Sequence, residues 1–449
     1  MPTTYIIENK NEALTSHSGL ALIGALLNNR TKLKQRLNEV TLSNCSTPTI
    51  SHADILFSMI GLISLGKPDY EAIEPFRCDD FFKDSLGLDY CPSSPTLRQR
   101  LDLVNGNFDT IIKEESVALI RNTARQITPI TTEKRPLVPL DIDVSPFDNS
   151  RTKKEGVSRT YKGDDGFAPI FGYLGREGYL VNVELREGKQ HCQNGTPDFL
   201  RETIKYSKQI TPAPILLRLD SGNDSIENVK ISSDEGIDFI IKRNLRNESK
   251  ADWLDVAKQY GKAHVARPGK TIYRGSVHRK LPGIDEPVRI VFDITERTID
   301  KKGQALLIPE IAVDTYWTSL TDTEFQIIEL YHDHGTSEQF HSELKTDMDL
   351  ERLPSKYFNT NSLIVLLGML SYNMLRLCGQ ESLQCSTKTQ RPAFRQDAFR
   401  RRIRIVIQDL IYLASRISYH SKRYYLSFGR YCHWDDVWQH IYTRFLMPI

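Results

Sequence analysis

The sequence predicts a mixed α/β chain in which a sheet-bearing middle is flanked by helical ends. Three observations carry this expectation. Apolar residues recur at helical spacing up to about residue 130 and again beyond residue 355. Between those limits the pattern changes to short β-branched runs separated by turn formers. Two of those runs, Pro136-Leu-Val-Pro-Leu-Asp-Ile-Asp143 and Pro214-Ile-Leu-Leu-Arg-Leu-Asp220, end in aspartate.

With 449 residues the chain exceeds one ordinary domain, and its 39% apolar and 26% charged residues are normal for a globular protein. The formal charge of +2 hides a segregated segment. From residue 391 to 423, nine basic residues, Arg400, Arg401, Arg402 and Arg404 among them, face only Asp397 and Asp409. Such an excess suits a polyanion, or else a solvated helix face. The seven cysteines are scattered without a C-x-x-C pair, so neither a zinc site nor a disulfide framework is indicated. The N-terminus lacks the basic start and apolar core of a signal peptide. The longest apolar run, 363–370, is far short of the ~20 residues that span a bilayer. A cytoplasmic, reducing location without a membrane partner is expected.

Residues 1–130 read as a helical region with apolar spacing at 20–27, 55–65 and 81–88. Ser94-Pro95 opens a further helix, with Leu97, Leu101 and Val104 on one side and Arg98 and Arg100 elsewhere. Preceded by the turn at 84–87, it could be a helix-turn-helix that reads DNA, or part of a plain bundle. Residues 131–242 follow with strands at 137–144, 168–173 and 179–186. A helix at 197–208, a strand at 215–220, a helix at 225–232 and a strand at 239–242 complete the segment. Three antiparallel strands and then α-β-α-β is the connectivity of a ribonuclease-H-like fold. Within it Ile215-Leu-Leu-Arg-Leu219 reads as a central strand covered on both faces.

Residues 243–314 interrupt this core. Strand candidates at 264–267, 271–277, 288–294 and 306–313, separated by Pro268-Gly269, Pro282-Gly283 and Lys302-Gly303, suggest an inserted β-rich module. Residues 315–375 would close the catalytic core, with helices at 322–330 and 336–345. Residues 376–449 would form a basic helical region that includes a helix at 399–412, with 379–392 as a loop.

Chemistry concentrates in the core. Strand alternation puts Asp141 and Asp143 on one face. Asp220, followed by Ser221-Gly222, lies at the rim of the sheet where ligands bind. Downstream, Tyr331, His334, Glu338 and Lys345 are spaced 3, 4 and 7 residues apart, so a continuous helix would carry all four on one side. A new helix capped at Gly335-Thr336-Ser337 would instead break the stripe between His334 and Glu338 and keep Glu338 with Lys345. Two strand-end aspartates and a helical glutamate are the parts needed to hold two Mg²⁺ ions, which prefer oxygen ligands. Such ions, about 3.5–4 Å apart, activate an attacking water or 3′-hydroxyl and stabilise the leaving oxygen. Without cations three carboxylates would repel one another. Lys345 would hold a backbone phosphate and Tyr331 would orient it. These parts point to an enzyme that cuts and joins DNA.

In these residues the chain resembles the DDE transposases of bacterial insertion sequences, the group marked by Tyr-x2-Arg-x3-Glu-x6-Lys, and most narrowly insertion-sequence family thirteen-eighty. The resemblance rests on Leu140-Asp-Ile-Asp143, Leu217-Arg-Leu-Asp220-Ser-Gly222, the Tyr331–Lys345 spacing and Phe358-Asn-Thr-Asn361, and covers roughly residues 135–375. It implies Asp143, Asp220 and Glu338 as catalytic metal ligands, with Asp141 and Glu343 as runners-up for the first and third. It further implies two Mg²⁺ ions, with Mn²⁺ able to substitute, and phosphate contacts from Tyr331, His334 and Lys345. The expected activity is cut-and-paste transposition of double-stranded DNA, through terminal inverted repeats and target DNA, by a homodimer at the bacterial nucleoid. One departure stands out. His334 occupies the motif's arginine position, and an imidazole cannot make a bidentate phosphate clamp. A catalytically weakened DNA-binding derivative, or a nuclease of the same fold, is the alternative. Trp253 and Trp317 are candidates for stacking on a flipped base, or for the core.

Overall fold

The computed structural model describes residues 3–41, 48–103, 106–300, 302–385 and 398–447. The chain divides into two compact units interleaved in sequence. One comprises Ala124–Lys345 and Ser355–Met369; the other comprises Met1–Thr123, Thr346–Pro354 and Leu370–Ile449.

The first unit is built on a ten-stranded mixed sheet. Its strands begin with β1 (Pro136–Val144), β2 (Ile170–Leu174) and β3 (Tyr179–Glu184), all antiparallel neighbours. Helix α1 (Thr196–Ile210) leads into β4 (Ile215–Leu219), and α2 (Ile226–Asp234) leads into β5 (Asp238–Lys242). Both β4 and β5 run parallel in the order β1-β4-β5, as two helical crossovers require. Every residue of β4 is buried, the mark of a parallel strand covered on both faces. The helices start where the sequence supplies partners for their free N–H groups. Pro197 sits in the first turn of α1, and Ser225 caps α2 by accepting from the Asn228 N–H.

The strands expected as a separate inserted module do not form one. After α3 (Lys250–Tyr260), β6 (Gly261–Arg267), β7 (Lys270–Arg279), β8 (Val288–Ile299) and β9 (Ala305–Thr318) continue the same sheet. The full order is β6-β7-β8-β9-β5-β4-β1-β2-β3, with Ile130–Thr131 pairing β1 off this path. The joint is the end of β9, where Tyr316, Trp317 and Thr318 pair with Lys242, Ile241 and Ile240 of β5. The long strands β8 and β9 therefore bury their roots in the core, while their far ends reach solvent, as at Leu307 and Ile308. Helix α3 was not anticipated. Ser249 caps it, accepting from the Ala251 and Asp252 N–H groups.

Helix α4 (Glu324–His332) covers this sheet. Its Ile327, Ile328 and Leu330 pack with Leu137, Leu216, Ile240, Val291 and Tyr316 in one buried cluster. Trp253 and Trp317 are buried and flank the Arg243 guanidinium at 5.4 and 4.6 Å. Their indole N–H groups donate to Glu248 and Asp224. They are core residues rather than base-stacking platforms.

The second unit has helices at Leu20–Arg30, Leu33–Glu39, His52–Ser64, Asp80–Leu86, Ser94–Leu103 and Asp109–Thr123. Gly87 closes Asp80–Leu86 in the left-handed region, at φ 72°. Of the arginines on the next helix, Arg98 pairs with Glu71 at 2.7 Å, and Arg100 donates to the Ile50 carbonyl. Val104 lies outside the described residues. The C-terminal part is not wholly helical as expected. Ser415–His420 and Arg423–Phe428 form a β-hairpin, which Leu14–Thr15 extends to three strands. Helix Asp435–Leu446 follows. The basic helix expected at 399–412 is confined to Ile403–Val406 and a π turn at Ile407–Ile411. Arg401 pairs with Asp409, Arg402 grips Asp347 at 2.7 and 2.9 Å, and Arg404 is exposed. Of the expected loop, residues 379–382 belong to helix Phe358–Ser382, and 386–397, with Arg391, Arg395 and Asp397, lie outside the described residues. Phe358–Ser382 is long and apolar enough to span a bilayer by composition, yet 94% of its apolar window is buried inside the protein.

Candidate active site

The site begins with register. In the parallel pair β1/β4, Asp141 lies opposite Arg218 and Ile142 opposite Leu219. The next step sets Asp143, near the end of β1, beside Asp220, the first residue past β4. Adjacent strands lie only about 4.8 Å apart, so the two carboxylates share one sheet edge. Burial raises the Asp220 pKa, and the charge of Asp143 raises it further, against a hydrogen bond from Asn223 Nδ2 at 2.8 Å. Two tyrosines feel the same pair. Tyr161 is pushed up to about 12 by burial and by the charges of Asp143 and Asp220, and Tyr331 is raised by burial and the same two charges. The Tyr161 hydroxyl donates to the Val144 carbonyl at 3.1 Å.

Asp143 is held by a chain of side chains. Its Oδ1 accepts from the Val144 N–H at 2.8 Å and its Oδ2 lies 3.2 Å from His341 Nε2. His341 Nδ1 in turn lies 3.2 Å from the Tyr173 hydroxyl. Burial lowers the His341 pKa despite Asp143 beside it. A carboxylate only accepts, so Nε2 carries a proton and donates to Asp143. Burial works to raise the Asp143 pKa, but His341, the charge of His334 and the Val144 N–H together outweigh it and hold the carboxyl below its usual range.

Asp141 does different work. Arg218 chelates it, Nε to Oδ1 at 2.6 Å and Nη2 to Oδ2 at 2.7 Å, while Nη1 donates to the Leu330 carbonyl near the end of α4. Against the cost of burial, the Arg218 and His334 charges keep the Asp141 pKa low. His334 Nδ1 is 3.1 Å from Asp141 Oδ1 but off the line a hydrogen bond needs. Asp141 is thus neutralised by the protein itself, whereas Asp143 and Asp220 face one another with no lysine or arginine paired to either among the described residues.

The domain model for the Transposase DDE domain group 1 matches residues 6–447. The chain belongs to this family. It is a DDE-type transposase. No curated protein matches it. Among solved structures, the cryo-EM structure of a piggyBac transposase synaptic complex with hairpin DNA overlaps 82% of this chain and 77% of its own. Identity there is 12% and the TM-score 0.39, too loose to transfer a residue's role.

In this transposase the motif helix is not one regular stripe. After α4 the chain tightens into a 3₁₀ turn at Asp333–Thr336, resumes as α-helix at Ser337–Ser342 and widens to a π turn at Glu343–Asp347. The change of winding shifts the phase, since only a regular helix stacks residues three and four apart. His334 consequently points inward to Asp141, while Glu338 is exposed and makes no hydrogen bond or ion pair among the described residues. Glu343 is buried. Tyr331 packs on Tyr316, ring centroids 4.8 Å apart. The Lys345 ammonium donates to the Pro146 carbonyl at 2.5 Å, in the loop just after Asp143. Among the described residues no three His, Cys, Asp or Glu side chains stand close enough together to ligate one ion. The sequence-based set therefore divides. Asp143 and Asp220 come together with Tyr331 near them and Lys345 on the adjoining loop, whereas Glu338 stands apart and His334 braces Asp141.

Sequence reasoning missed His341, Tyr173 and Tyr161. His341 lies three residues past Glu338 on the same helix, a spacing that the sequence does display. Its docking depends on Gly178, at φ 71°, where an added Cβ would sit 2.2 Å from the Phe340 ring. Gly222 is a second tight point. A Cβ there would lie 3.0 Å from Cys192 Sγ and 3.3 Å from Asp220 Oδ2.

Proposed function

We propose that this transposase cleaves DNA at the ends of its element in a Mg²⁺-dependent reaction and joins the 3′ ends to target DNA. The observation that carries the reading is the pair Asp143 and Asp220 at neighbouring strand ends, where burial and then the charge of Asp143 raise the Asp220 pKa. Two uncompensated carboxylates at the carboxyl ends of parallel strands fit a hard divalent cation, which would relieve that repulsion. Asp143 and Asp220 would hold the metal, with Glu338 as the third carboxylate. When bound, the metal lowers the pKa of the attacking hydroxyl and stabilises the leaving oxygen. His341 and Tyr173 fix the orientation of Asp143. The ammonium of Lys345 and the hydroxyl of Tyr331 would contact backbone phosphate next to the scissile bond. Strand order β3-β2-β1-β4-β5 supports a ribonuclease-H-like core, extended on one side by β9 to β6. The finer placement in the Tyr-Arg-Glu-Lys group, near insertion-sequence family thirteen-eighty, rests on the motif spacing. Action on paired inverted repeats implies a homodimer.

A second reading is favoured by one observation: Glu338 stands apart from the two aspartates and His334 is occupied with Asp141. On it the protein binds element ends but cleaves them poorly. Incubating purified protein with labelled element ends and Mg²⁺, beside Asp220→Asn, separates the two. Cleavage by the wild type that is lost in the variant supports the catalytic reading. Binding without cleavage by the wild type supports the second.

A further inference from the structure

The hairpin of Ser415–His420 and Arg423–Phe428 was not foreseen, and nothing in the catalytic reading uses it. Its composition is one-sided. Between Asp409 and Asp435 the chain has no acidic residue, while Arg416, Lys422, Arg423 and Arg430 are all basic. Pairing Tyr419 with Tyr424 and Ile417 with Leu426 gives one apolar face, and Phe428 of that face meets the Trp438 ring at 5.2 Å. The alternate positions, Arg416, Ser418, His420, Arg423, Tyr425 and Ser427, form the other face.

On that second face His420 stacks on Tyr425, ring centroids 3.9 Å apart and planes nearly parallel at 7°. At the tip Ser421 and Lys422 hold φ of 51° and 59°, the left-handed pair of a tight hairpin turn built without glycine. Lys422 and Arg423 are exposed and form no ion pair among the described residues. Arg416 has only Glu12, at 4.0 Å. Aspartates do lie near the hairpin. Asp79, Asp80, Asp84, Asp435 and Asp436 line an open cleft in this unit, together with Tyr419, Tyr424 and Phe428. Glu12, Ser418 and Tyr425 line it as well, whereas Arg416, His420, Lys422 and Arg423 do not, so the charge is segregated into an acidic cleft and a basic tip.

We propose that this hairpin is a duplex-DNA contact, in which Arg416, Lys422 and Arg423 neutralise backbone phosphates and the exposed His420 ring lies against the sugar-phosphate edge. A strand pair whose exposed tip carries Lys422 and Arg423 without ion pairs among the described residues matches a polyanionic ribbon. The proposal rests on the transposase reading, because it names a surface with which that enzyme would hold DNA.

The test measures the binding of a labelled element-end duplex, and of a scrambled duplex of equal length, against salt concentration. The full-length protein is compared with Lys422→Asn/Arg423→Gln. Asparagine tolerates the left-handed turn position, so the hairpin is preserved, and an unchanged circular dichroism melt checks this. The slope of log K against log salt should fall in magnitude by roughly 2, since each phosphate contact contributes about 0.9. The loss should be equal on both duplexes, because phosphate contacts carry no sequence information. An unchanged slope in the double variant, with the wild type binding DNA, overturns the hairpin proposal alone. Failure of the wild type to bind either duplex overturns it together with the DNA reading.

Discussion

Arg218→Met is the sharpest structural perturbation available at the site. Arg218 and Asp141 are both buried, their side chains 4% and 5% exposed, so solvent screens the pair little. The substitution removes two hydrogen bonds to Asp141 and one to the Leu330 carbonyl, and leaves Asp141 with His334 alone. Breaking one side of a buried pair typically costs about 3–5 kcal/mol. For a unit of this size, roughly 2–4 °C is lost per kcal/mol, so the melting temperature should fall by roughly 6–20 °C. The double variant Asp141→Leu/Arg218→Met should recover most of the loss, because apolar replacement of both partners removes the stranded charge. The pH dependence has a fixed sign. The Asp141 pKa is depressed in the fold, so its contribution is present above the unfolded value near 3.9 and vanishes as pH falls through the folded value. The gap between wild type and Arg218→Met should therefore narrow on acidification, followed by circular dichroism melts from pH 7 downward. A loss under about 1 kcal/mol at pH 7, or a double variant no better than the single, refutes this assignment of Asp141 to structure.

Three further outcomes follow from the site. Asp220 has a raised pKa in the fold, so its ionisation opposes folding above that pKa; Asp220→Asn should raise the metal-free melting temperature at pH 7.5 while abolishing cleavage. An unchanged or lowered melting temperature there contradicts the cost of burying that carboxylate beside Asp143. His341→Phe removes the hydrogen bond to Asp143 and should cut the cleavage rate by about 10–100-fold, the usual cost of losing a group that orients a metal ligand, with DNA affinity unchanged in gel shifts. Gly222→Ala should impair cleavage because its Cβ meets Cys192 Sγ and Asp220, and adding Cys192→Ala should restore part of the rate. Equal rates in the single and double variants would show that the crowding does not matter.

Much of the core was legible because its signals are local. The all-apolar Ile215–Leu219 and its terminal aspartate announce a central parallel strand, and Gly175 and Gly178, both at positive φ, mark the turn between β2 and β3. The C-terminal hairpin was illegible for a matching reason. Its turn uses Ser421 and Lys422 in the left-handed region, so the customary Asn-Gly signature is missing, and the basic residues suggested a helix. The strands of the β-rich insertion were legible, but strand spacing does not say which sheet a strand joins; the pairing of Trp317 with Ile241 decides that, 76 residues away. His334 and Glu338 share a stripe only on a continuous helix, and the spacing alone does not exclude a break at Gly335-Thr336-Ser337. The 3₁₀ turn at Asp333–Thr336, containing Gly335, breaks that stripe. The link from Tyr173 through His341 to Asp143 joins residues 168 and 198 positions apart, which no periodicity reveals.

The most direct measurement is anomalous diffraction from crystals of the wild-type protein soaked in Mn²⁺. The account predicts a manganese peak within ligating distance of the carboxylates of both Asp143 and Asp220, absent in Asp220→Asn. A peak that avoids both side chains, or none at saturating Mn²⁺, would contradict it.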